Sequence, residues 1–190
     1  MVEALTTTLR RLASLLALLT VPTAVFAHRL DEYLQATLVA IEPSGIRLQI
    51  NLTPGVDVAE KVLAQIDRNN DSAISRNEAA AYVALLKRDL TLRVDGRELK
   101  LKSTASKFAA PLELRSGWGI IQIEFSAALG PLATGAHKLT LENRHLPKLS
   151  VYLINAAQPK SHAIQITSQK RTDNQSAGEI EFNFHPSDSP

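Results

Sequence analysis

The sequence contains no cysteine. That excludes disulfides, thiolate zinc sites and a cysteine nucleophile, and in an exported chain it leaves stability to packing alone. A Lys/Arg stripe with interleaved aromatics is also missing. The formal net charge is +2 over 190 residues. Removing residues 1–27 takes away Arg10, Arg11 and Glu3, two cations and one anion, and leaves +1. A chain so nearly balanced gives no reason to expect nucleic acid as a partner. There is no G-x-S-x-G, no Walker loop, no G-x-G-x-x-G and no H-E-x-x-H, so neither a nucleophile–base pair nor a catalytic zinc set is announced, and the chain is not expected to be an enzyme. After residue 27 no segment is long and apolar enough to span a bilayer, so the mature chain is expected to lack a transmembrane segment. Internal repeats and low-complexity tracts are absent too.

A hydrophobic fraction of 45% with 21% charged residues is the balance of a globular protein and argues against wholesale disorder. Residues 1–27 have the three parts of a secretory signal: Arg10 and Arg11, an apolar run over residues 12–21, then Val25-Phe26-Ala27 with short side chains at −3 and −1. Pro22 breaks the run, which is short for a membrane anchor needing roughly 20 residues. The expectation is cleavage after Ala27, leaving His28 as the mature N-terminus of a periplasmic or extracellular protein.

The most informative stretch is residues 67–78, Asp-Arg-Asn-Asn-Asp-Ser-Ala-Ile-Ser-Arg-Asn-Glu. With Asp67 as position 1, side-chain oxygens fall at positions 1, 3, 5, 9 and 12, from Asp67, Asn69, Asp71, Ser75 and Glu78. Position 7, Ala73, supplies a backbone carbonyl. Ca²⁺ is a hard cation that takes six to eight oxygens, and a single curled loop delivers them only from inward-pointing alternate positions closed by a bidentate Glu. This is the spacing of an EF-hand calcium loop. Ile74 is its inward apolar residue.

The flanks agree with the loop. Val58, Val62, Leu63 and Ile66 recur at helical spacing, with Asp57 as N-cap and Glu60 three residues on, which predicts an entering helix of roughly three turns. Ser75 and Glu78 form a capping box for an exit helix whose apolar face is Ala79, Val83, Leu86 and Leu90. One position departs from the pattern. Position 6 is Ser72 where Gly is usual, and a left-handed non-Gly residue costs about 1–2 kcal/mol, so only modest affinity is expected.

The remainder reads as short strands. Leu34, Ala36 and Leu38 alternate with polar residues and run to Ile41. Pro43-Ser44-Gly45 turns the chain, and Ile46, Leu48, Ile50 and Leu52 alternate back, giving a hairpin with one wet face. Leu90, Leu92 and Val94 resume the period of two, Asp95-Gly96 supplies a hairpin turn, and Leu99 and Leu101 return. Residues 103–116 are irregular, with Phe108, Pro111, Leu112 and Leu114 as anchors. Further strands follow around Ile121, Ile123 and Phe125, then around His137, Leu139, Leu141 and Asn143. Residues 151–154 suit a strand buried on both faces, and Ile164 with Ile166, then Ile180 with Phe182 and Phe184, end the series. Residues 169–178 read as a mobile polar loop and 186–190 as a flexible tail.

Together these signals predict an antiparallel β-sandwich resembling immunoglobulin-type folds, with an inserted EF-hand helix-loop-helix. Its organisation would be a signal peptide at 1–27, a first hairpin at 28–55, the insert at 56–90 and the rest of the sandwich at 91–185.

With these residues in view, the chain resembles the EF-hand-containing exported proteins of bacteria. Its mature start, His28-Arg29-Leu30-Asp31-Glu32-Tyr33-Leu34-Gln35, also resembles extracytoplasmic segments of the hydrogenase/urease accessory (HupE/UreJ-like) group, as does Glu142-Asn143-Arg144-His145 leading into Val151-Tyr152-Leu153. No multi-span membrane domain accompanies them in this sequence, so the second resemblance implies an accessory or interaction role beside a membrane protein and not transport.

A mature N-terminal His28 would offer an α-amine and an imidazole, a pair that chelates copper when a second His joins it. His137, His145, His162 and His185 are the candidates for that second ligand. His145 and Arg144 read as a solvated polar turn. The function expected is therefore exported calcium binding through Asp67, Asn69, Asp71, Ala73, Ser75 and Glu78, with an accessory module or a copper carrier as the alternatives.

Overall fold

A computed structural model describes residues 31–186; the expected signal peptide at 1–27, His28 and residues 187–190 lie outside them. The opening hairpin is β1 (Tyr33–Glu42) and β2 (Gly45–Pro54), followed by two helices, α1 (Ala59–Ile66) and α2 (Arg76–Arg88). After these come β3 (Leu90–Val94), β4 (Arg97–Glu98), β5 (Lys102–Phe108) and a short helix α3 (Pro111–Arg115). The chain then forms β6 (Ile121–Ala128), β7 (Gly135–Asn143), β8 (Ser150–Ala156), β9 (Ile164–Arg171) and β10 (Ala177–Phe184).

The strands form two five-stranded sheets, ordered β5-β6-β2-β1-β8 and β4-β3-β7-β10-β9. Every pairing is antiparallel except β1 with β8, which run parallel. The protein is thus mainly β, and the expectation of a purely antiparallel arrangement is corrected at that pair. The long chain between β1 and β8 explains it, since a parallel partner needs a crossover that a tight hairpin cannot make. Buried residues of both sheets, among them Leu48, Phe125, Leu139, Ile180 and Phe182, join one hydrophobic cluster. The helices contribute Val62, Ile66, Tyr82 and Leu86 to it.

Strand β2 buries Ile46, Leu48, Ile50 and Leu52 as its alternation predicts. Strand β1 does the reverse of what its leucines suggest. Tyr33, Gln35, Thr37, Val39 and Ile41 face the core, while Leu34 and Leu38 are each 39% exposed. Register decides the matter: Gln35 pairs Leu52 and Val39 pairs Leu48, so the residues beside β2's apolar face must be the odd-numbered ones.

Several other expectations change. Helix α1 begins at Ala59, and its N-cap Val58 makes no side-chain cap, so Asp57 does not cap it and the helix has eight residues, little over two turns. Residues 103–116, read as irregular, hold β5 and α3; β5 escaped notice because six of its seven residues are exposed and it has no apolar period. Residues 151–154 are not buried on both faces, since Leu153 is 37% exposed. Half of residues 169–178 are the facing ends of β9 and β10, and the loop between them is only residues 172–176. The Asp95-Gly96 turn forms as expected, with both residues at positive φ, +50° and +79°.

Strand β8 ends its sheet, and its open edge is blunted from the other sheet. Gln169 Nε2 and Arg171 Nε, both on β9, donate to the Ile154 carbonyl at 2.8 and 2.6 Å, and Gln169 Oε1 accepts from Ala156 N at 3.1 Å.

Candidate metal centre

The segment joining α1 to α2 is held by its own side-chain oxygens. Asp67, at the C-terminus of α1, is only 6% exposed. Its Oδ1 accepts from Asp71 N at 3.1 Å and its Oδ2 from Ser72 N at 2.9 Å. Asn69 Oδ1 also accepts from Asp71 N, while its amide nitrogen donates to Asp71 Oδ2 at 2.9 Å. Asp71 Oδ1 accepts from Ala73 N. These bonds bend the chain back over Asp67, and the bend needs left-handed residues. Asn70 has φ +58° and Ser72 φ +62°, so the position where a glycine was missed adopts the conformation a glycine would.

Glu78 closes the far side. Its Oε2 accepts from Ser75 N at 3.0 Å and from Ser75 Oγ at 2.7 Å, completing the capping box at the start of α2. Its Oε1 reaches back across the loop to Arg68 N at 3.0 Å. These donors, Ser75's hydroxyl first and then the backbone amides, hold the Glu78 carboxyl below its ordinary pKa. Ile74 packs against the core.

The donor set suits a hard cation: three carboxylates, one amide oxygen, one hydroxyl and the Ala73 carbonyl, with no nitrogen or sulfur. Among the described residues no group of three or more His, Asp or Glu side chains converges by itself. The loop relies on Asn69, Ser75 and backbone oxygen to complete any shell.

Helix α2 also carries part of a buried polar chain that sequence reading missed. Tyr82 Oη, on α2, is 2.6 Å from Tyr33 Oη on β1 and 3.0 Å from His145 Nε2. His145 Nδ1 lies 2.7 Å from Asp89 Oδ2, at the C-terminus of α2. The His145 carbonyl accepts from Gln35 Nε2 at 2.8 Å and from Tyr152 Oη at 3.0 Å. Asn143 Nδ2 donates to Gln35 Oε1 at 2.9 Å, and Asn143 Oδ1 accepts from His145 N at 2.9 Å. His145 is 0% exposed, which corrects its reading as part of a solvated turn. The two short stretches behind the second resemblance meet here, one supplying Tyr33 and Gln35 and the other Asn143, His145 and Tyr152. The signal available in the sequence was Tyr33 and Gln35 sharing the parity of Val39 and Ile41.

Desolvation pulls the His145 pKa below its ordinary value, outweighing the pull of Asp89. Burial pushes both phenols well above theirs. With Asp89 accepting from Nδ1–H, Nε2 is the acceptor, so Tyr33 donates to Tyr82 and Tyr82 to His145.

The other histidines are dispersed. Both His137 ring nitrogens are engaged, Nδ1 with Asp95 Oδ2 and Nε2 with the Ala133 carbonyl, each at 2.7 Å. His162 and His185 line one surface cavity, and His28 lies outside the described residues. Comparison with family models, with curated proteins and with solved structures finds nothing that matches this chain.

Proposed function

We propose that this chain is an exported calcium-binding protein, in which one EF-hand-type site of modest affinity stabilises or regulates an immunoglobulin-like β-sandwich. The observation that carries the reading is the loop wrapped around the Asp67 carboxylate, with Ser72 at φ +62° where the motif calls for a left-handed residue. Asp67, Asn69, Asp71, the Ala73 carbonyl, Ser75 and the Glu78 carboxylate would hold the ion, which would neutralise three carboxylates gathered in one loop. Glu78 also caps α2, so calcium would tie the loop to the start of that helix. Extracellular modules of this kind work at Kd values of about 10⁻⁴ to 10⁻³ M, and binding to the folded state alone raises stability by mass action.

Calorimetric titration of the chain from His28 onward, beside Glu78→Gln, tests this reading. The parent should bind one Ca²⁺ and melt higher in millimolar calcium, and the variant should bind far more weakly. Absence of both heat and melting shift at several millimolar calcium would overturn it.

A second reading is a periplasmic accessory module of a membrane complex with a purely structural loop. It is favoured by the meeting of Tyr33, Gln35, Asn143, His145 and Tyr152 in one buried unit. A pull-down from membranes with and without chelator separates the two, since a regulated surface gains or loses partners with calcium.

A further inference from the structure

The inverted parity of β1 leaves aliphatic side chains on the outer face of the first sheet. Leu34 sits beside Val151 and Ala36 beside Leu153 in the parallel β1–β8 register. The neighbouring strand β2 is polar on that face, with Arg47, Gln49, Asn51 and Thr53 opposite Ala40, Leu38, Ala36 and Leu34. At the Leu34 end the turn after α3 brings in Trp118, the chain's one tryptophan, 79% exposed.

The backbone holding Trp118 is fixed. Gly117 has φ +75°, and a Cβ on Gly119 would meet the Leu114 backbone nitrogen at 2.6 Å, so neither glycine is replaceable without movement. Gly117 N donates to the Leu114 carbonyl at 3.2 Å and Gly119 N to the Glu113 carbonyl at 2.8 Å. A large aromatic presented on a rigid turn loses little freedom when a partner arrives. Trp118 lines a cleft of about 450 Å³ together with Leu34, Ile120, Val151 and Thr53, and Glu32 is the charged residue lining it among the described residues.

We propose that this cleft is a docking site for a segment of a partner protein that presents an aliphatic side chain flanked by Lys or Arg. The aliphatic group fits between Trp118, Leu34, Ile120 and Val151. The cation reaches the Glu32 carboxylate and the face of the indole. A concave site with a carboxylate on its wall suits a protruding basic segment better than a flat anionic membrane surface. Edge pairing with a second copy is blocked nearby, where Gln169 and Arg171 occupy the β8 backbone at Ile154 and Ala156. The inference does not depend on calcium.

The test uses the chain from His28 onward and a phage-displayed random dodecapeptide library, with enriched peptides then synthesised. Trp118 reports directly, because no other tryptophan contributes to emission. Enriched peptides should carry Leu, Ile or Val beside Lys or Arg and shift Trp118 emission to the blue. By polarisation of labelled peptide, Trp118→Ala should lower their affinity about tenfold or more, and Glu32→Gln should lower it several-fold and flatten its salt dependence. No enrichment over the Trp118→Ala protein would overturn the proposal. So would binding indifferent to Glu32→Gln, a blue shift with phosphatidylglycerol vesicles but not with peptides, or a concentration-dependent blue shift of the protein alone.

Discussion

The Tyr82 hydroxyl stands 2.6 Å from the Tyr33 hydroxyl, joining the helix that leaves the loop to β1, an interior strand of the first sheet. Both rings are essentially inaccessible to water. Replacing Tyr82 with Phe removes the acceptor of one buried hydroxyl and the donor to His145 Nε2, and leaving buried polar groups unpaired costs about 1–3 kcal/mol. Urea denaturation of Tyr82→Phe should show a loss in that range. Tyr33→Phe should cost less, because Tyr82 keeps His145 as acceptor. The double variant should fall short of the sum of the two.

The two engaged histidines should give opposite pH signatures. His145 has a depressed pKa in the folded state, so below pH 6.5 the unfolded chain takes up its proton first and stability falls as pH drops toward the folded value. His137 is desolvated, which lowers its pKa, but the bonds to Asp95 and the Ala133 carbonyl and the Asp95 charge together hold it above the ordinary value. Its contribution is fully present below pH 6.5 and is lost as pH rises through the folded pKa. Melting temperatures measured from pH 5 to 9 should therefore show less alkaline loss in His137→Gln and less acid loss in His145→Gln, with the latter less stable throughout.

Ser72 holds a left-handed conformation that costs a non-Gly residue about 1–2 kcal/mol. Glycine relieves it but adds roughly 0.5–1 kcal/mol of chain entropy to lose on folding. Ser72→Gly should therefore be neutral to about 1.5 kcal/mol stabilising by thermal unfolding, with chelator or with calcium, because the φ angle belongs to the turn. A clear loss would mean that the Ser72 side chain does something in the loop beyond occupying the bend.

The Ser75–Glu78 cap and the strands of alternating β2, β6 and β7 were legible because each is encoded within about a dozen consecutive residues. What stayed hidden depends on contacts distant in sequence. β1 carries apolar residues on both parities, and choosing between them required knowing that Gln35 would find Asn143, Ser150 and the His145 carbonyl, more than a hundred residues away. β5 has no buried face to give it a period, so only pairing with β6 defines it. The parallel β1–β8 pair likewise has no local signature.

Gly119 is a sharper test of the turn that presents Trp118 than the tryptophan itself. A methyl group there would lie 2.6 Å from the Leu114 nitrogen and 2.7 Å from the Glu113 carbonyl carbon, both backbone atoms that cannot swing aside. At Gly96 a methyl group meets nothing within 4 Å and only the positive φ resists it. Gly96→Ala should therefore cost about 1–2 kcal/mol. Gly119 is not at positive φ and has no such strain to add, but its methyl group must displace α3, whose Leu114 is fully buried, and Gly119→Ala should cost more. If denaturation shows the two equal, the turn yields freely, and the rigidity attributed to the tryptophan's mount is wrong.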